Sequence, residues 1–377
     1  MKVSDVVKAL ETLAPPSLSA KWDNVGLLVG DAGAEARKVL LCIDLTPQVL
    51  AEAAKVKAQM VMAYHPVIFK GVSRLTADAS PAAYEAARRG LAVYSMHTAL
   101  DAAPGGTNDV LAEVLGLAGH RPLEPVTEGG SCKIVIFVPP ADLSRVAEAA
   151  FAAGAGRIGR YYDCAFFAHG IGAFCGGEGS NPTVGHVGRH EVTEEVRLEM
   201  VAPKADVPAV CAAARAAHSY EEPVIDVYPL EGCPDERGMG RVGRLARPAT
   251  AASLIARVKR ATRLKNVLVA GGGESAGRAD RRARKAGSLV KIAACSAGSA
   301  GSMYQAAAKA GATFFLTGEM HHHDALAATA AGMTVVCLGH SNSERITLPR
   351  LARRLGKLLP GLAVLVSQRD KDPFRVA

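Results

Sequence analysis

One stretch near the carboxyl end, residues 312–344, constrains the fold more than any other part of the chain. A strand, a helix and a second strand are predicted there, in order, at Thr313–Leu316, Ala325–Ala331 and Met333–Leu338. The first strand leads to Glu319, and the second leads to a loop that carries His340 and Glu344. Ligands bind at the carboxyl ends of parallel strands in open α/β sheets. The stretch therefore predicts two buried strands whose ends present groups able to bind metal or move a proton.

The same order of elements recurs in the first hundred residues. Strands and helices alternate there at 38–45, 47–56, 59–63, 81–89 and 91–96. The last two strands deliver Tyr64 with His65, and His97 with Asp101 four residues later. The later copy begins with a strand and a helix at 289–295 and 302–310. Two halves thus repeat one plan, which predicts an α/β fold whose two pseudo-repeated halves pack around a cleft.

A different pattern occupies the middle of the chain, between the turn-rich segments 122–131 and 232–240. Strands and helices are predicted there at 133–138, 141–152, 162–168, 196–201, 206–217 and 224–228. Two strand–helix–strand units predict an inserted α+β domain of the ferredoxin-like type. The predicted domains are a first α/β half, the insert and a second α/β half, at 1–124, 125–235 and 236–377.

Each candidate site residue is ambiguous when taken alone. His65 precedes Pro66 and suits a turn, and Asp101 suits a turn cap. Asn108 and Asp109 are candidate N-caps of a helix at 110–115. Oxygen and imidazole groups that converge from two halves nevertheless favour Zn²⁺, Mn²⁺ or Fe²⁺ over Ca²⁺ or a thiolate site.

Several other chemistries find no support in the sequence. The eight cysteines show no CxxC spacing, and Cys42, Cys295 and Cys337 lie in predicted strands, where they read as small buried hydrophobes. The chain contains no Walker A motif, and no cysteine lies in a motif with a partner histidine. These absences favour metal-assisted hydrolysis over covalent catalysis or ATP use.

The composition is that of a soluble globular protein, since 49% of the 377 residues are hydrophobic and 21% are charged. No apolar run reaches the roughly 18 residues of a membrane span. The opening MKVSDVVKALETLAPP reads as an amphipathic helix closed by prolines, not as a signal peptide. We therefore expect a cytoplasmic protein with no membrane partner.

The net charge of +8 raises the question of an anionic partner. Much of the excess lies in RADRRARK (278–285) and RLARRLGK (350–357), and solvated helix faces are the favoured explanation. A phosphate-bearing substrate and loose nucleic-acid contact are the alternatives. No aromatic residues are interleaved with the basic ones, so a dedicated nucleic-acid module is not expected.

Five segments resemble the NIF-three-like family, whose members are also called GTP cyclohydrolase 1 type 2 homologues. They are WDNVGLLVG (22–30), YHPVIFKG (64–71), HTALDAAPGGTND (97–109), TGEMHHHDAL (317–326) and GHSNSE (339–344). The middle block, which includes HSYEEPVIDVYPL (218–230), is similar to the PII/CutA-type domain inserted into some members. The resemblance runs in order over nearly the whole chain.

The resemblance implies a dinuclear centre with two divalent ions per chain, Zn²⁺, Mn²⁺ or Fe²⁺. Matched residue by residue, the implied ligands are Tyr64, His65, Asp101, His340 and Glu344. Tyr64 stands where the bacterial pattern has a histidine, and a neutral phenol is a poor ligand, so the second metal position is expected to be weakened. His97, together with Glu319 and His323 of the TGE-x-x-x-H pattern, is assigned supporting or acid–base roles.

The resemblance also implies a function, a metal-dependent hydrolase that activates water against a nucleotide or another phosphate-bearing small molecule, as in the ring opening of GTP. It further implies a homo-oligomer, in the family a hexameric ring. The alternative is a non-catalytic metal-binding or ligand-sensing scaffold, which the phenol at Tyr64 favours. Fold resemblance alone does not choose between these functions.

Overall fold

The computed structural model describes residues 1–126, 130–159, 161–230, 236–272 and 289–375. The chain divides into two compact units, one of residues 1–126 with 235–377 and the other of residues 127–234. The stretch 271–287 interrupts the predicted strands around it, and its sequence predicts a mobile loop or a short basic helix. It lies outside the described residues except for its first two glycines, and so does the basic run 278–285. Among the described helices, none has the length and hydrophobicity needed to span a bilayer.

The elements alternate along the chain as predicted for a mixed α/β protein. In chain order the strands are β1 (Gly26–Val29), β2 (Lys38–Cys42), β3 (Met60–Ala63), β4 (Ala92–Ser95), β5 (Leu117–Arg121), β6 (Glu124–Pro125), β7 (Ser131–Val138), β8 (Ala165–Cys175), β9 (His190–Pro203), β10 (Ile225–Leu230), β11 (Gly238–Met239), β12 (Arg241–Ala249), β13 (Leu268–Ala270), β14 (Val290–Ser299), β15 (Phe314–Glu319), β16 (Thr334–Cys337) and β17 (Ala363–Val366).

The helices fall between these strands. They are α1 (Val3–Leu13), α2 (Pro47–Lys55), α3 (Pro81–Arg88), α4 (His97–Ala102), α5 (Thr107–Leu115), α6 (Leu143–Ala152), α7 (Val207–Ala217), α8 (Ala251–Thr262), α9 (Met303–Lys309), α10 (His322–Ala330), α11 (His340–Arg345) and α12 (Leu348–Leu358). Short 3₁₀ turns occur at Pro16–Leu18 and Pro140–Asp142.

A five-stranded sheet in the order β1-β4-β3-β2-β17 forms one layer of the first unit. Strands β4, β3, β2 and β17 run parallel, with Val39 opposite Met60 and Met60 opposite Ala92, and β1 is antiparallel to β4. Every residue of β3 and β4 is buried. The cause is that α1, α4 and α12 cover one face of the sheet while α2 and α3 cover the other.

The second sheet of this unit has the order β13-β16-β15-β14-β12-β5. Strands β14, β15 and β16 are parallel and buried, and the strands outside them are antiparallel to their neighbours. Helices α5 and α8 pack on one face, and α9 and α10 pack on the other. The parallel strands of both sheets thus have covered faces, and their carboxyl ends stay open for functional groups.

Local sequence signals explain where several helices begin and end. The hydroxyl of Thr46 accepts from the amide of Val49 and precedes Pro47, a residue suited to the first helical turn. Thr250 caps α8 through the amide of Ser253. Helix α5 begins at Thr107 with Gly106 as its N-cap, so the predicted caps Asn108 and Asp109 lie inside the helix instead. Their side chains are therefore available for tertiary contacts.

The basic run 350–357 lies on a surface helix, as the favoured explanation of its charge requires. Helix α12 buries Leu348, Leu351 and Leu355 against the first sheet. Arg350, on the opposite side, pairs with Glu113 at 2.7 Å in an exposed contact. The periodicity of three and four between the leucines places the basic residues at the surface.

Two strands cross the predicted division of the chain into halves. Strand β5 belongs to the predicted first half but pairs with β12 of the second sheet. Strand β17 belongs to the predicted second half but pairs in parallel with β2 of the first sheet. The two sheets therefore exchange their terminal strands, which joins them into one unit.

A buried ion pair also joins the two halves. Arg241 of β12 is only 1% exposed, and its Nε donates to a carboxylate oxygen of Asp109 on α5. Its Nη1 donates to the carbonyls of Gly238 and Gly240 at 2.6 and 2.7 Å. The carboxylate of Asp109 thus balances the charge of Arg241, and the two carbonyls hold the guanidinium in place.

The second unit is an antiparallel sheet in the order β10-β7-β9-β8, with α6 and α7 packed on one face. The strands predicted at 162–168 and 196–201 are longer than expected, because Ala165–Cys175 and His190–Pro203 pair along eleven residues. The glycine-rich section after the predicted strand at 162–168 therefore contributes part of a long hairpin. On the first unit, β6 and β11 pair directly on either side of the insert, so its two attachment points are adjacent.

The ion pair predicts a measurable stability difference. Asp109→Asn leaves the guanidinium of Arg241 buried without a counter-charge, so we expect the free energy of unfolding to fall by about 3 kcal/mol. The matched control is Glu113→Gln on the same helix, which breaks the exposed pair with Arg350 and is expected to cost less than about 1 kcal/mol. Chemical denaturation of both variants measures the difference. Equal losses of unfolding free energy in the two variants would show that the buried pair stabilises the protein no more than the exposed one.

Candidate metal centre

Two sheets of the first unit supply the central residues. His65 follows β3 directly, and its amide donates to the carbonyl of Ile43 at 3.0 Å, which continues the strand geometry. His340 and Glu344 lie on α11, a short helix where the sequence predicted a loop. Their spacing of four residues places both side chains on one face of that helix. Ser343 is inside α11 rather than at an N-cap, and its hydroxyl donates to the carbonyl of His340 at 2.7 Å.

His65, His340 and Glu344 form a cluster in which one ligand atom of each lies within 4.8 Å of the others. The Nε2 atom of His65 is 3.2 Å from Oε2 of Glu344, and the Nε2 atom of His340 is 3.3 Å from Oε1. Glu344 is only 2% exposed. His65 Nε2 and Glu344 Oε2 are both buried, and among the described residues neither has a hydrogen-bond partner apart from the other. A buried carboxylate oxygen that faces an imidazole nitrogen in this way is stabilised by a positive charge, carried by a proton on the ring or by a bound cation.

The electrostatics of the cluster agree with this requirement. Burial lowers the pKa of His65, but the hydrogen bond to Asp44 and the neighbouring Glu344 carboxylate raise it, to about 10. The carboxylates of Glu344 and Glu319 similarly raise the pKa of His340 to about 9. Burial raises the pKa of Glu344, but the two imidazoles outweigh it and lower the pKa. The site thus attracts cations, whether a proton or a metal ion.

Each imidazole of the site is held by a carboxylate through Nδ1. The partner of His65 is Asp44 at 2.9 Å, that of His340 is Glu319 at 2.9 Å, and that of His97 is Asp23 at 2.7 Å. A carboxylate on Nδ1 fixes the ring orientation and leaves Nε2 with its lone pair, which is the usual arrangement behind a metal-binding histidine. The three pairs therefore present Nε2 as the reactive atom of each ring.

Two of these carboxylates were not predicted as functional residues. Asp44 stands just past β2, at a strand end like those that the sequence singled out. In the sequence, Asp23 and Asn24 form a turn before VGLLVG that is more typical of a structural corner than of chemistry, yet Asp23 also accepts from the amide of Thr98 at 3.2 Å and so satisfies the start of α4. The predicted strand 38–45 contains Asp44, so the position of Asp44 beyond the end of β2 did not follow from the sequence.

Tyr64 and Asp101 are bonded to each other. The hydroxyl of Tyr64 donates to the carboxylate of Asp101, and it lies 2.8 Å from the hydroxyl of Thr107. Tyr64 is completely buried, and burial together with the charges of Asp101 and Glu344 holds the pKa of its phenol well above the usual range. Burial and the charge of Glu344 raise the pKa of Asp101 to about 6. Asp101 is not among the residues of the three-membered cluster.

The remaining predicted residues divide into near and distant ones. The ring of His97 is 5.3 Å from that of His65, measured between centroids, and Glu319 contacts His340. His323 is exposed on α10, and its ring contacts that of His322 at 5.3 Å instead. Of these three predicted residues, His97 and Glu319 therefore lie next to the cluster, whereas His323 contacts a neighbouring histidine instead.

A glycine leaves room for the cluster. Gly298 of β14 has a φ of +59°, and a Cβ atom added there would lie 2.8 Å from Oε1 of Glu344 and 3.4 Å from Nε2 of His340. Its amide donates to the hydroxyl of Ser343 at 2.8 Å. The backbone at Gly298 thus forms one wall of the space between the two ligands. Together with the unpartnered buried atoms, this wall makes the donor set fit a metal ion.

Comparison with known proteins assigns the chain to a family. A sequence model of Duf34/NIF3 (NGG1p interacting factor 3) matches residues 1–373. The chain belongs to the Duf34/NIF3 family. Members named GTP cyclohydrolase 1 type 2 homolog in Bacillus subtilis and Halalkalibacterium halodurans are each 33% identical to it, over 98% and 99% of this chain and 97% and 99% of theirs.

Solved structures give the same result for the fold. A Bacillus cereus protein related to NIF3 is 30% identical, with a TM-score of 0.68 over 100% of this chain and 99% of the other. A Staphylococcus aureus protein has a TM-score of 0.76 at 24% identity, over the same shares of the two chains, and this likeness concerns the fold alone. The family expectation drawn from the five sequence segments is therefore confirmed.

The wall at Gly298 makes the site testable without changing a ligand. Gly298→Ala places a methyl group against Glu344 and His340, so we expect divalent-metal affinity to fall at least tenfold. Gly301→Ala is the matched control, because Gly301 also has a positive φ, +50°, but no atom lies within 4 Å of its added Cβ. Isothermal titration of both metal-free variants with Zn²⁺ and Mn²⁺ separates crowding from backbone strain. Equal affinities in the two variants would count against the proposed position of the ion.

Proposed function

We propose that this protein is a metal-dependent hydrolase that acts on a nucleotide or another phosphate-bearing small molecule at the His65, His340 and Glu344 cluster. The observation that carries the proposal is the buried pair His65 Nε2 and Glu344 Oε2, which face each other and have no further hydrogen-bond partner among the described residues. A bound cation stabilises such a pair by accepting the lone pairs of both atoms. The names of the curated relatives, which refer to GTP cyclohydrolase, support a purine nucleotide as the substrate.

The donor set of two imidazoles and one carboxylate suits Zn²⁺, Mn²⁺ or Fe²⁺. A divalent ion bound by these residues would supply Lewis-acid chemistry, polarising a substrate oxygen and lowering the pKa of water. Three protein ligands leave coordination positions open, which is typical of catalytic rather than structural sites. The residues therefore favour reaction at the ion over a purely structural role for it.

The other side chains orient groups and move protons. Asp44 and Glu319 hold the rings of His65 and His340 so that Nε2 of each faces Glu344. His97 is held in the same way by Asp23, and its Nε2 is available to accept a proton from attacking water and return it to a leaving group. His97 is thus an acid–base candidate beside the cluster that is not itself a ligand.

We infer that one ion is bound firmly and that the second position is incomplete. Of the five ligands that the resemblance implies, Tyr64 and Asp101 are engaged with each other rather than with the three-membered cluster. The neutral phenol of Tyr64 donates to Asp101 and offers little as a ligand. A cation at the second position would compete with that hydrogen bond.

We also propose that residues 130–230 form a ferredoxin-like insert, that the other unit contains a pseudo-repeat, and that the chain forms homo-oligomers. The insert's order of elements, β7-α6-β8-β9-α7-β10, and its strand order support the first part. The match between the parallel strands β2, β3 and β4 of the first sheet and the parallel strands β14, β15 and β16 of the second supports a pseudo-repeat. Large exposed apolar side chains on the hairpin, Phe166, Ile171 and Val192, support self-association.

The bond between Tyr64 and Asp101 also favours a second candidate, a metal-binding or ligand-sensing scaffold without turnover. Metal analysis of the purified protein, paired with a screen of nucleotides and phosphate esters, distinguishes the two. For the hydrolase, we expect turnover that follows the metal content and that Glu344→Gln lowers together with metal affinity, each at least tenfold. Glu113→Gln, at an exposed glutamate, should retain both. Full metal content without turnover of any substrate would favour the scaffold.

Tyr64 allows a direct count of the ions. We expect about one ion per chain in the natural protein and a rise toward two in Tyr64→His, because an imidazole replaces the phenol and releases Asp101. Mass spectrometry of the native protein and elemental analysis measure the stoichiometry. Tyr64→Phe separates loss of the hydroxyl from gain of a ligand, and should not add a full second ion. Two ions in the natural protein, or no gain in Tyr64→His, would contradict the incomplete second position.

A further inference from the structure

Two exposed aromatic rings lie beside the candidate metal centre. Trp22 is 62% exposed and Phe69 is 46% exposed, although both belong to large apolar residue types. Their ring centroids are 5.8 Å apart and their planes meet at 42°. Aromatic rings bury a large apolar area when they are covered, so a solvent-exposed pair of this kind is suited to receiving a ligand.

The pair is joined to the metal centre through His97. The His97 ring lies edge-on to both of them, with centroid distances of 5.9 Å to Trp22 and 6.4 Å to Phe69. The same ring is 5.3 Å from His65. A molecule that covers the aromatic pair therefore has its remaining atoms next to the acid–base candidate and the cluster.

Three consecutive residues hold this arrangement. Trp22 contributes one ring, Asp23 holds His97, and the side-chain amide of Asn24 donates to the carbonyl of Ile68 at 2.6 Å, directly before Phe69. His97 has a φ of +30°, a conformation that side chains rarely adopt, and its bond to Asp23 stabilises it. Residues 22–24 thus supply one ring of the aromatic pair, hold His97 beside it and bond the residue that precedes Phe69.

We propose that Trp22 and Phe69 form a stacking site for the planar heteroaromatic ring of the substrate, of the size of a purine base. This inference rests on the proposed function, since it assigns the ring-binding part of the same site. Stacking of a base on an aromatic side chain is favourable in water and accepts any planar base. Each of the two rings should therefore raise the affinity for the base about tenfold or more.

The surroundings favour a small polar ligand over a second copy of the chain. Asp44 and Glu319, which hold the two ligand imidazoles, are 41% and 54% exposed at their side chains. An apolar protein surface over the pair and the cluster would take out of water the oxygen atom of each carboxylate that does not bond an imidazole, at a high cost. A heteroaromatic ring that carries hydroxyl or other donor groups covers the rings and leaves those carboxylates with donors or water.

The chain offers a direct probe, because Trp22 is its only tryptophan. In the full-length, metal-loaded protein, we expect guanosine and GTP to quench the fluorescence of Trp22 saturably. Ribose 5-phosphate and inorganic triphosphate, which lack a base, should not. Phe69→Leu should raise the Kd for guanosine about tenfold, and Trp22→Leu should do the same when binding is followed by calorimetry. Val72→Ala, at an exposed apolar residue of the same loop, is the control and should leave the Kd unchanged.

The outcomes separate this inference from the proposed function. Quenching by guanosine without turnover of any nucleotide supports the stacking site and counts against the hydrolase. Metal-dependent turnover that Trp22→Leu and Phe69→Leu leave unchanged, with no quenching, overturns the stacking site and retains the hydrolase. Metal content should be the same in all three variants, which shows that the cluster is intact. If Trp22 is already shielded from acrylamide in the free protein, and Trp22→Leu dissociates an oligomer, the pair is an interface and the inference is wrong.

Discussion

The structure of this site depends on one buried carboxylate. Glu344 is 2% exposed and faces an imidazole from each of two sheets, His65 after β3 and His340 on α11. A carboxylate so far from water is tolerated only if positive charge lies beside it. The carboxylates of Asp44 and Glu319 bond Nδ1 of His65 and His340 and so orient both rings with Nε2 toward Glu344. This orientation gives the cluster the arrangement of a cation site.

Such a site requires that two sheets keep a fixed separation, and the fold provides this in several ways. Strands β5 and β17 each pair with the sheet that is more distant in sequence. Asn108 adds a direct link, because its amide nitrogen donates to the carbonyl of Asp101 at 3.0 Å while its oxygen accepts from the amide of Ala297 at 2.9 Å. Ala297 adjoins Gly298, the wall of the site. A side chain that is fully buried and fully bonded thus connects the region of Asp101 to the region of Glu344.

The sequence predicted the strand ends well and their partners poorly, and the reason is physical. Hydrophobic runs of fixed length locate buried strands such as β3 and β16, and hence His65 and His340 just beyond them. The helical structure of α11 could not be predicted from the sequence, because its six polar residues show no apolar periodicity. Tertiary contacts, such as that of Ser343 with Gly298, stabilise this helix instead. The pairing of His97 with Asp23 joins residues 74 positions apart, and no local pattern encodes such a contact. His323 shows the converse, since a motif spacing marks it while the helix leaves it exposed.

Tyr64 shows how one ligand position changes the charge of a whole site. An imidazole there would present a lone pair, and Asp101 would then be free to face a second cation. The phenol instead donates a hydrogen bond to Asp101, and its oxygen also lies next to the hydroxyl of Thr107, so these three groups are hydrogen-bonded to one another. Glu344 lies between two imidazoles that are themselves held by carboxylates, and this surplus of carboxylate charge suits the cluster to a cation. A cation beside Asp101 would instead have to displace a buried hydrogen bond that the fold already satisfies.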